Sequence, residues 1–210
     1  LNPEASRRLL LNLTKKYGTN KYVAGSIISN LQNKEDAFYK ECLAINPDSG
    51  AAINLQLRKL LSDREKAKNN SNAKKLAKDF PRGAFIFGTL CQTCHGTDGN
   101  GVSSLAPPLN NSNWVKGDIN KLIPIVLFGL NGPVEVAGKI YKAPEINGEM
   151  PGIGQNKDFS DDDIAQVLNY VRNSWSNKAE RINAADIQRT RNKFKDRQKP
   201  FVMEELKNLK

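Results

Sequence analysis

Two cysteines and the single histidine of this 210-residue chain stand together as Cys91-Gln92-Thr93-Cys94-His95. At this spacing, one helical turn presents both sulfurs to the edge of a flat ring, and the histidine follows directly beneath the ring. The pattern is typical of covalent attachment of c-type haem through thioether bonds, with the histidine as the proximal iron ligand. It predicts one haem c per chain, bound by Cys91 and Cys94 and ligated by His95.

The absence of a second histidine restricts the other axial ligand. It excludes bis-histidine ligation within the chain, and it excludes a histidine-based acid–base site. The two methionines, Met150 and Met203, are the candidates, because a neutral thioether is a haem ligand that favours the reduced iron. Met150 lies in a glycine- and proline-rich loop, residues 148–152, whereas Met203 lies near the end of the sequence. We therefore expect Met150 to be the ligand.

The formal net charge of +10 is unevenly distributed: residues 1–80 carry +7, residues 81–175 carry −2 and residues 176–210 carry +5. The basic flanks lack the interleaved aromatic residues typical of nucleic-acid binding, so we expect no nucleic-acid partner. We interpret them as solvated helix faces, with steering of an acidic partner as the alternative. No run of about 18 apolar residues exists, which predicts no transmembrane segment.

The start of the sequence and the remaining cysteine are relevant to the cellular compartment in which the protein resides. The chain begins at Leu1 and has no apolar signal core behind a basic start, so we expect a signal peptide or a longer segment upstream. Our hypothesis is the C-terminal piece of a larger exported, for example periplasmic, polypeptide, since c-type haem attachment is completed there. Cys42 lies in a helix-like stretch, and we interpret it as a small buried residue rather than a reactive thiol.

Differences in composition divide the chain into three predicted parts, residues 1–79, 80–176 and 177–210. The first part repeats apolar residues at helical spacing with short breaks, which favours a helical-hairpin array of HEAT type. Such hairpins would cover the haem domain or further repeats upstream, and a plain helical appendage is the alternative. Its last residues, 62–79, predict an exposed helix or linker. The third part predicts a basic helical tail.

The first and last helices of the middle part carry recognisable patterns. Gly83, Phe87 and Cys91 are four residues apart and therefore share one face of a helix. A second helix over residues 159–171 begins with Ser160 as N-cap, in a pattern close to a capping box. Its apolar residues form a stripe that we expect to be buried.

The segment between these helices predicts a further helix and a small β-structure. A helix over residues 118–128 contains Pro124, which we expect to end its first turn or kink it. Residues 129–141 alternate around a glycine turn and predict a β-hairpin. Trp114 precedes them, and its indole N–H is a candidate donor to a haem propionate, with a structural core tryptophan as the alternative.

These motifs together resemble class I cytochromes c over roughly residues 80–176. The hairpin insert and the tail motifs at residues 184–191, 197–201 and 204–206 resemble cytochrome domains fused to the C-terminus of exported dehydrogenases and of HEAT-repeat haem proteins. The resemblance implies that Gly83 lets the first and last helices cross closely, with Phe87 packed at the crossing. It also implies that Met150 is the axial methionine.

The resemblance has two implications for the loop after His95. A proline carbonyl there is expected to accept a hydrogen bond from the histidine ring, which Pro107 or Pro108 fits, and we assign Pro108 to the cofactor site. Leu109 is expected to touch the haem face. The fold predicted is mainly α, a class I cytochrome c fold with a small β-hairpin insert, preceded by a short HEAT-like helical region.

The function predicted is electron transfer by one His/Met-ligated haem, in a module that serves a redox partner protein or an upstream dehydrogenase domain rather than acting as an enzyme by itself. A haem enzyme such as a peroxidase needs an open distal site, as does a gas or redox sensor. Both remain alternatives. Carbon monoxide binding distinguishes the electron carrier from both alternatives, because a methionine-ligated iron resists it.

Overall fold

The computed structural model describes residues 3–31, 34–146 and 148–209. Two units are distinguished, Leu1–Lys68 and Asn69–Lys210, each with a core of its own. The division falls within one long helix, and the predicted three-part division of the chain stays a prediction. Across the described ranges, no helix has the length and apolar character needed to cross a membrane.

The first unit is helical, as the apolar spacing predicts. It contains α1 (Pro3–Tyr17), α2 (Lys21–Ser29), α3 (Glu35–Ile45) and the beginning of α4 (Ala52–Asp79). Asn20 caps α2, because its side chain accepts the backbone N–H groups of Tyr22 and Val23. The described residues leave the HEAT-type interpretation of these helices a prediction.

Cys42 lies in the core of this first unit, as expected for a small buried residue. Its Sγ is 3.9 Å from Thr14 Oγ1. Burial raises the pKa of the Cys42 thiol to about 11, so the thiol is protonated and unreactive at neutral pH. The other apolar members of this core are Ala24, Ile27, Leu31, Phe38, Ala51, Ile53 and Leu57.

The second unit contains the remaining helices. They are α5 (Pro81–Ile86), α6 (Gln92–His95), α7 (Asn113–Lys116), α8 (Ile119–Phe128), α9 (Asp161–Asn173), α10 (Ala184–Lys193) and α11 (Met203–Lys207). A π-helical turn, Phe87–Cys91, joins α5 to α6. Ser160 and Asp163 form the capping box of α9, which confirms the predicted start of that helix.

Helix α8 continues through Pro124, so the proline does not end the helix after its first turn, and the alternative expectation of a kink stays a prediction. Pro124 is the sixth residue of the helix, so its ring removes one hydrogen-bond donor beyond the first turn. Leu122, Ile123 and Leu127 flank it and are buried in the core. Their burial stabilises the helical path on both sides of the missing hydrogen bond.

The predicted hairpin is confirmed in its second half. Strands β2 (Val134–Val136) and β3 (Lys139–Tyr141) pair antiparallel around Ala137 and Gly138. Both turn residues have positive φ, 51° and 83°, as a type I′ turn requires.

The first half of that segment forms a different sheet. Strand β1 (Gly129–Asn131) pairs antiparallel with β4 (Met150–Pro151) and parallel with β5 (Phe201–Val202). Alternation along the sequence indicates strands, but it does not reveal partners that lie 20 to 71 residues away.

The basic tail is part of the core of the second unit. Ile187 on α10 is buried with Leu122 and Ile123 of α8. Phe201 and Leu206 are buried against Ile125. The tail therefore holds α8 and the three-stranded sheet in place, while most of its charged residues within the described range are exposed.

Candidate haem site

Helices α5 and α9 cross at Gly83 with their backbones in contact. A Cβ atom at position 83 would lie 2.2 Å from the carbonyl oxygen of Gln166, so a side chain cannot fit there. The Gln166 side chain also accepts the backbone N–H of Arg82 at 3.1 Å. The close crossing implied by the cytochrome resemblance is therefore confirmed.

Phe87 packs at this crossing. Its ring centroid lies 5.6 Å from that of Tyr170 and 5.5 Å from that of Trp175. The turn from Phe87 to Cys91 is π-helical, with the backbone N–H of Gln92 donating to the Phe87 carbonyl. The four-residue spacing from Gly83 to Cys91 is therefore not α-helical throughout, and a single π turn of this kind is frequent at functional sites.

Cys91 and Cys94 are both free thiols, three residues apart on the turn that ends at His95. Burial, with a smaller contribution from Cys94, raises the pKa of the Cys91 thiol to about 11. Two unpaired thiols on one turn, followed at once by an imidazole, are the donor set that covalent haem attachment requires. The residues present therefore fit a c-type haem.

His95 is buried, with 6% of its surface exposed, and its Nδ1 lies 3.0 Å from the carbonyl oxygen of Pro107. A carbonyl only accepts, so Nδ1 carries the proton and Nε2 keeps its lone pair. Burial lowers the pKa of His95, and the Pro107 bond opposes this effect in part. The imidazole is therefore neutral, which is the form that ligates iron.

Of the two prolines expected to fit this hydrogen bond, Pro107 takes the role, and the assignment of Pro108 to the cofactor site stays a prediction. Adjacent carbonyls of an extended proline pair point in different directions, so only one of them can face the histidine ring. Leu109, two residues on, is half-buried and packs against the core cluster that includes Phe87 and Val115. It lies in the same core cluster as Cys91, and its contact with the haem face stays a prediction.

The proximal loop, residues 96–111, is closed by backbone hydrogen bonds. Gly101 N–H donates to the His95 carbonyl at 2.9 Å, and the N–H groups of Leu109 and Asn110 both donate to Gly99 O at 2.8 Å. Gly101 has a φ of +78°, and a Cβ there would lie 2.4 Å from the Ala106 carbonyl oxygen. These bonds bring the Pro107 carbonyl back to the histidine from which the loop starts.

Trp114 does not offer its indole N–H to a propionate. Its Nε1 donates to the backbone carbonyl of Glu135 at 2.7 Å, and an indole has only this one donor. Trp114 packs beside Phe201 and Leu206 and ties α7 to the β2–β3 hairpin. This hydrogen bond supports the structural alternative stated for this residue, a core tryptophan.

The two methionines differ in their surroundings. Met150 begins strand β4 opposite Leu130 of β1 and is half-buried beside Ile125 and Phe201. Met203 Sδ accepts the backbone N–H of Glu135 at 3.3 Å. The thioether of Met203 is therefore already used as an acceptor in the hairpin.

Sequence reasoning missed Arg172, which fastens the segment around α7 to α9. Arg172 is almost fully buried, and its guanidinium donates to the carbonyls of Val115, Gly117 and Glu180. Desolvation lowers the pKa of Arg172, and the charge of Glu180 opposes that shift. No local pattern signals such a residue, because its acceptors lie up to 57 residues away.

The crossing of first and last helices above a Cys-Gln-Thr-Cys-His turn defines a class I cytochrome c fold, and comparisons with known proteins agree with it. The sequence profile of the family described as cytochrome C oxidase, cbb3-type, subunit III matches residues 78–171. Cytochrome c-552 of Thermus thermophilus is 32% identical over 132 residues, which cover 61% of this chain and 83% of that protein.

Two dehydrogenase subunits are similar over a shorter region. The cytochrome c subunit of alcohol dehydrogenase (quinone) from Gluconobacter oxydans is 33% identical over 111 residues, 52% of this chain and 22% of that protein. The gluconate 2-dehydrogenase cytochrome c subunit of Pantoea cypripedii is 33% identical over 115 residues, 52% of this chain and 24% of that protein. The chain belongs to the c-type cytochromes, haem proteins that transfer electrons.

Proposed function

We propose that this chain carries one haem c, bound through thioethers at Cys91 and Cys94, with His95 and Met150 as axial ligands. The observation that carries the proposal is the 3.0 Å bond between His95 Nδ1 and the Pro107 carbonyl, which presents Nε2 as a neutral donor. The engagement of the Met203 thioether by Glu135 supports Met150 as the sixth ligand. A six-coordinate iron has no open site, so the function is electron transfer and not substrate chemistry.

Several residues of the chain each contribute to this function in a different way. Bound haem supplies a one-electron iron couple. The Pro107 carbonyl holds the proton of His95 on Nδ1 and makes the imidazole a stronger donor. The thioether of Met150 is neutral and soft, and it raises the potential by favouring ferrous iron. Gly83 and Phe87 close the helix crossing next to the attachment turn and exclude water from it.

A count of titratable thiols tests the covalent attachment. The chain has three cysteines, so a denatured holoprotein with two thioethers should titrate as one thiol per chain, that of Cys42. The native holoprotein should titrate as none, because Cys42 is fully buried. Cys42→Ala is the control and should reduce the denatured count to zero without loss of haem.

Two results would contradict the attachment proposal. One is a denatured count of three thiols. The other is haem that acid–acetone extraction removes from the protein. The mass of the denatured chain provides the matching readout, since it should exceed the mass of the polypeptide by that of one haem.

We propose further that the chain is the C-terminal module of a larger exported redox protein or a partner of a dehydrogenase. The support is that two relatives are named as cytochrome c subunits of dehydrogenases and that the chain spans about a quarter or less of each. Haem staining of fractionated cells, after separation by mass, tests both the export and the larger size. The stained band should lie in an exported fraction at a mass above 23.3 kDa. Holoprotein confined to the cytoplasm would contradict the export.

A further inference from the structure

Trp175 lies just beyond helix α9 in a backbone conformation that a bulky residue rarely adopts. Its φ is +55°, in the left-handed region, which costs energy for any residue with a side chain. Strain of this kind is retained where the surrounding contacts outweigh it, and it is common at functional sites. The contacts of Trp175 identify what the strained conformation achieves.

The Trp175 side chain reaches back 78 residues to the first arm of the proximal loop. Its Nε1 donates to the Thr97 carbonyl at 3.0 Å. Its ring covers Gly99 so closely that a Cβ there would lie 2.6 Å from the ring atoms. The same ring packs edge-on against Phe87 at 5.5 Å. Trp175 therefore joins the loop after His95 to the helix that precedes Cys91.

Asn177, two residues further, fastens the second arm of the same loop. It is 1% exposed, and its Nδ2 donates to the Leu109 carbonyl at 3.0 Å. Its Oδ1 accepts the backbone N–H of Asn111 at 2.9 Å. Between the arms, Gly99 O accepts the N–H groups of Leu109 and Asn110.

The Pro107 carbonyl lies between these two fastened arms. The proline ring has no free side chain that could make a compensating contact. The distance from this carbonyl to His95 therefore depends on how closely the Gly99 and Leu109 backbones are held to each other. We propose that Trp175 is a positioning residue that acts through the Thr97 carbonyl and Gly99 to hold the Pro107 carbonyl on His95 Nδ1, and so sets the strength of the imidazole as an iron ligand. The proposal rests on the proposed role of His95.

A role in core packing alone makes a different prediction. The ring contact with Phe87 would survive replacement of the indole by a benzene ring, and the loop would stay in place. A positioning role also needs the indole N–H, which is the direct link from Trp175 to Thr97. Trp175→Phe separates the two roles because it keeps an aromatic ring and removes the donor.

Trp114→Phe is the matched control. Trp114 is also half-buried and also donates its indole N–H to a backbone carbonyl, that of Glu135, but it lies at the β2–β3 hairpin. We would measure, by NMR of the reduced holoprotein, solvent exchange of the His95 Nδ1 proton and of the Gly101 amide, which donates to the His95 carbonyl. The midpoint potential is the second readout.

In Trp175→Phe both protons should exchange about fivefold faster, as expected for the loss of one neutral hydrogen bond that holds the loop. The midpoint potential should rise, because a weaker Pro107 bond makes the imidazole a poorer donor to ferric iron. Trp175→Ala should accelerate exchange further. Trp114→Phe should leave both exchange rates as in the wild type.

Unchanged exchange in Trp175→Phe, or equal acceleration in both phenylalanine variants, would overturn the positioning role while leaving the proposed function intact. A fall in potential would also overturn it. A wild-type holoprotein whose iron is not bound by His95 would overturn both proposals. Should Trp175→Ala fail to fold, the phenylalanine variant decides the question by itself.

Discussion

Met150 is the residue on which the reactivity of the iron depends most directly. Replacement of Met150 by alanine should open the sixth position, lower the midpoint potential and let the reduced protein bind carbon monoxide. The potential should fall by a sizeable part of the roughly 0.8 V range that axial ligands span. The weak long-wavelength charge-transfer band of Met-ligated ferric haem should disappear.

Met203→Ala is the control for that substitution. Its thioether accepts the Glu135 amide, so its loss should disturb the hairpin and leave the charge-transfer band and the carbon monoxide resistance unchanged. The opposite pattern, with the band lost only in Met203→Ala, would move the ligand to the other methionine. Carbon monoxide binding by the unmodified reduced protein would favour a haem enzyme or a sensor instead.

Residue types and spacing were sufficient to predict part of this site. The attachment turn at Cys91–His95 and the glycine at position 83 each leave a local signature. The choice between Pro107 and Pro108 leaves none, because it depends on which carbonyl the loop turns toward His95. Trp114 and Trp175 are equally inconspicuous in the sequence, since the partners of their indole N–H groups lie 21 and 78 residues away.

At the scale of elements, the crossing of α5 and α9 depends on the absence of a side chain at one position. Gly83→Ala would place a Cβ 2.2 Å from the Gln166 carbonyl oxygen, so the helices must move apart. We expect a loss of about 1–3 kcal/mol in the free energy of unfolding, as for other overpacked sites. Denaturant titration of the holoprotein measures it.

The comparison variant is Gly88→Ala, in the π turn that follows α5. A Cβ at position 88 has no protein atom within 4 Å. Its free energy of unfolding should stay within about 0.5 kcal/mol of the wild type. Equal losses in the two variants would show that the crossing is not the reason for glycine at position 83.

The tail supports the strand that carries Met150, which the sequence did not reveal. In the sheet order β4-β1-β5, strand β1 joins Met150–Pro151 on one side to Phe201–Val202 on the other. The basic composition of residues 177–210 suggested a solvated helical tail, because charge outweighs a few separated apolar residues in any local pattern. Burial of those apolar residues becomes evident only once the long-range partners are known.

Removal of the Phe201 ring should therefore weaken the hold on Met150. Phe201 is 1% exposed, lies 5.2 Å from Phe194 and 6.0 Å from Phe128, and is covered by the Arg197 guanidinium. Phe201→Ala should cost about 3–5 kcal/mol, and the charge-transfer band should be lost at a lower temperature. Val202→Ala, on the exposed side of the same strand, should cost less than about 1 kcal/mol. If the charge-transfer band were lost at the same temperature in both variants, the tail would not stabilise the strand that carries Met150.

At the scale of the whole molecule, the charges flank the cytochrome region and leave that region slightly acidic. Residues 81–175 carry a net −2 within a chain of net +10. Acidification protonates carboxylates and increases the positive charge, so self-repulsion grows as pH falls. Among the residues that the structure describes, Asp98, Asp163 and Glu205 are carboxyls whose folded-state partners lower their pKa.

Asp163 shows the sign of this pH dependence. Burial raises its pKa, but the Ser160 backbone N–H and hydroxyl and the Arg82 guanidinium together outweigh burial and lower it. A carboxyl with a lowered folded-state pKa stabilises the protein fully above its unfolded-state pKa, near pH 4, and this stabilisation is lost as pH falls through the folded-state value. Asp163→Asn should therefore cost about 1 kcal/mol at pH 7, a typical capping contribution that exposure of Arg82 reduces, and progressively less as the pH falls through the folded-state pKa. Thermal unfolding of both proteins, from pH 7 down into acid, measures this difference. Asp162 lies in the same helical turn and lacks the capping-box bonds, so Asp162→Asn should cost less at pH 7. A cost for Asp163→Asn that persists unchanged in acid would mean that the carboxyl stabilises the helix by its shape and not by its charge.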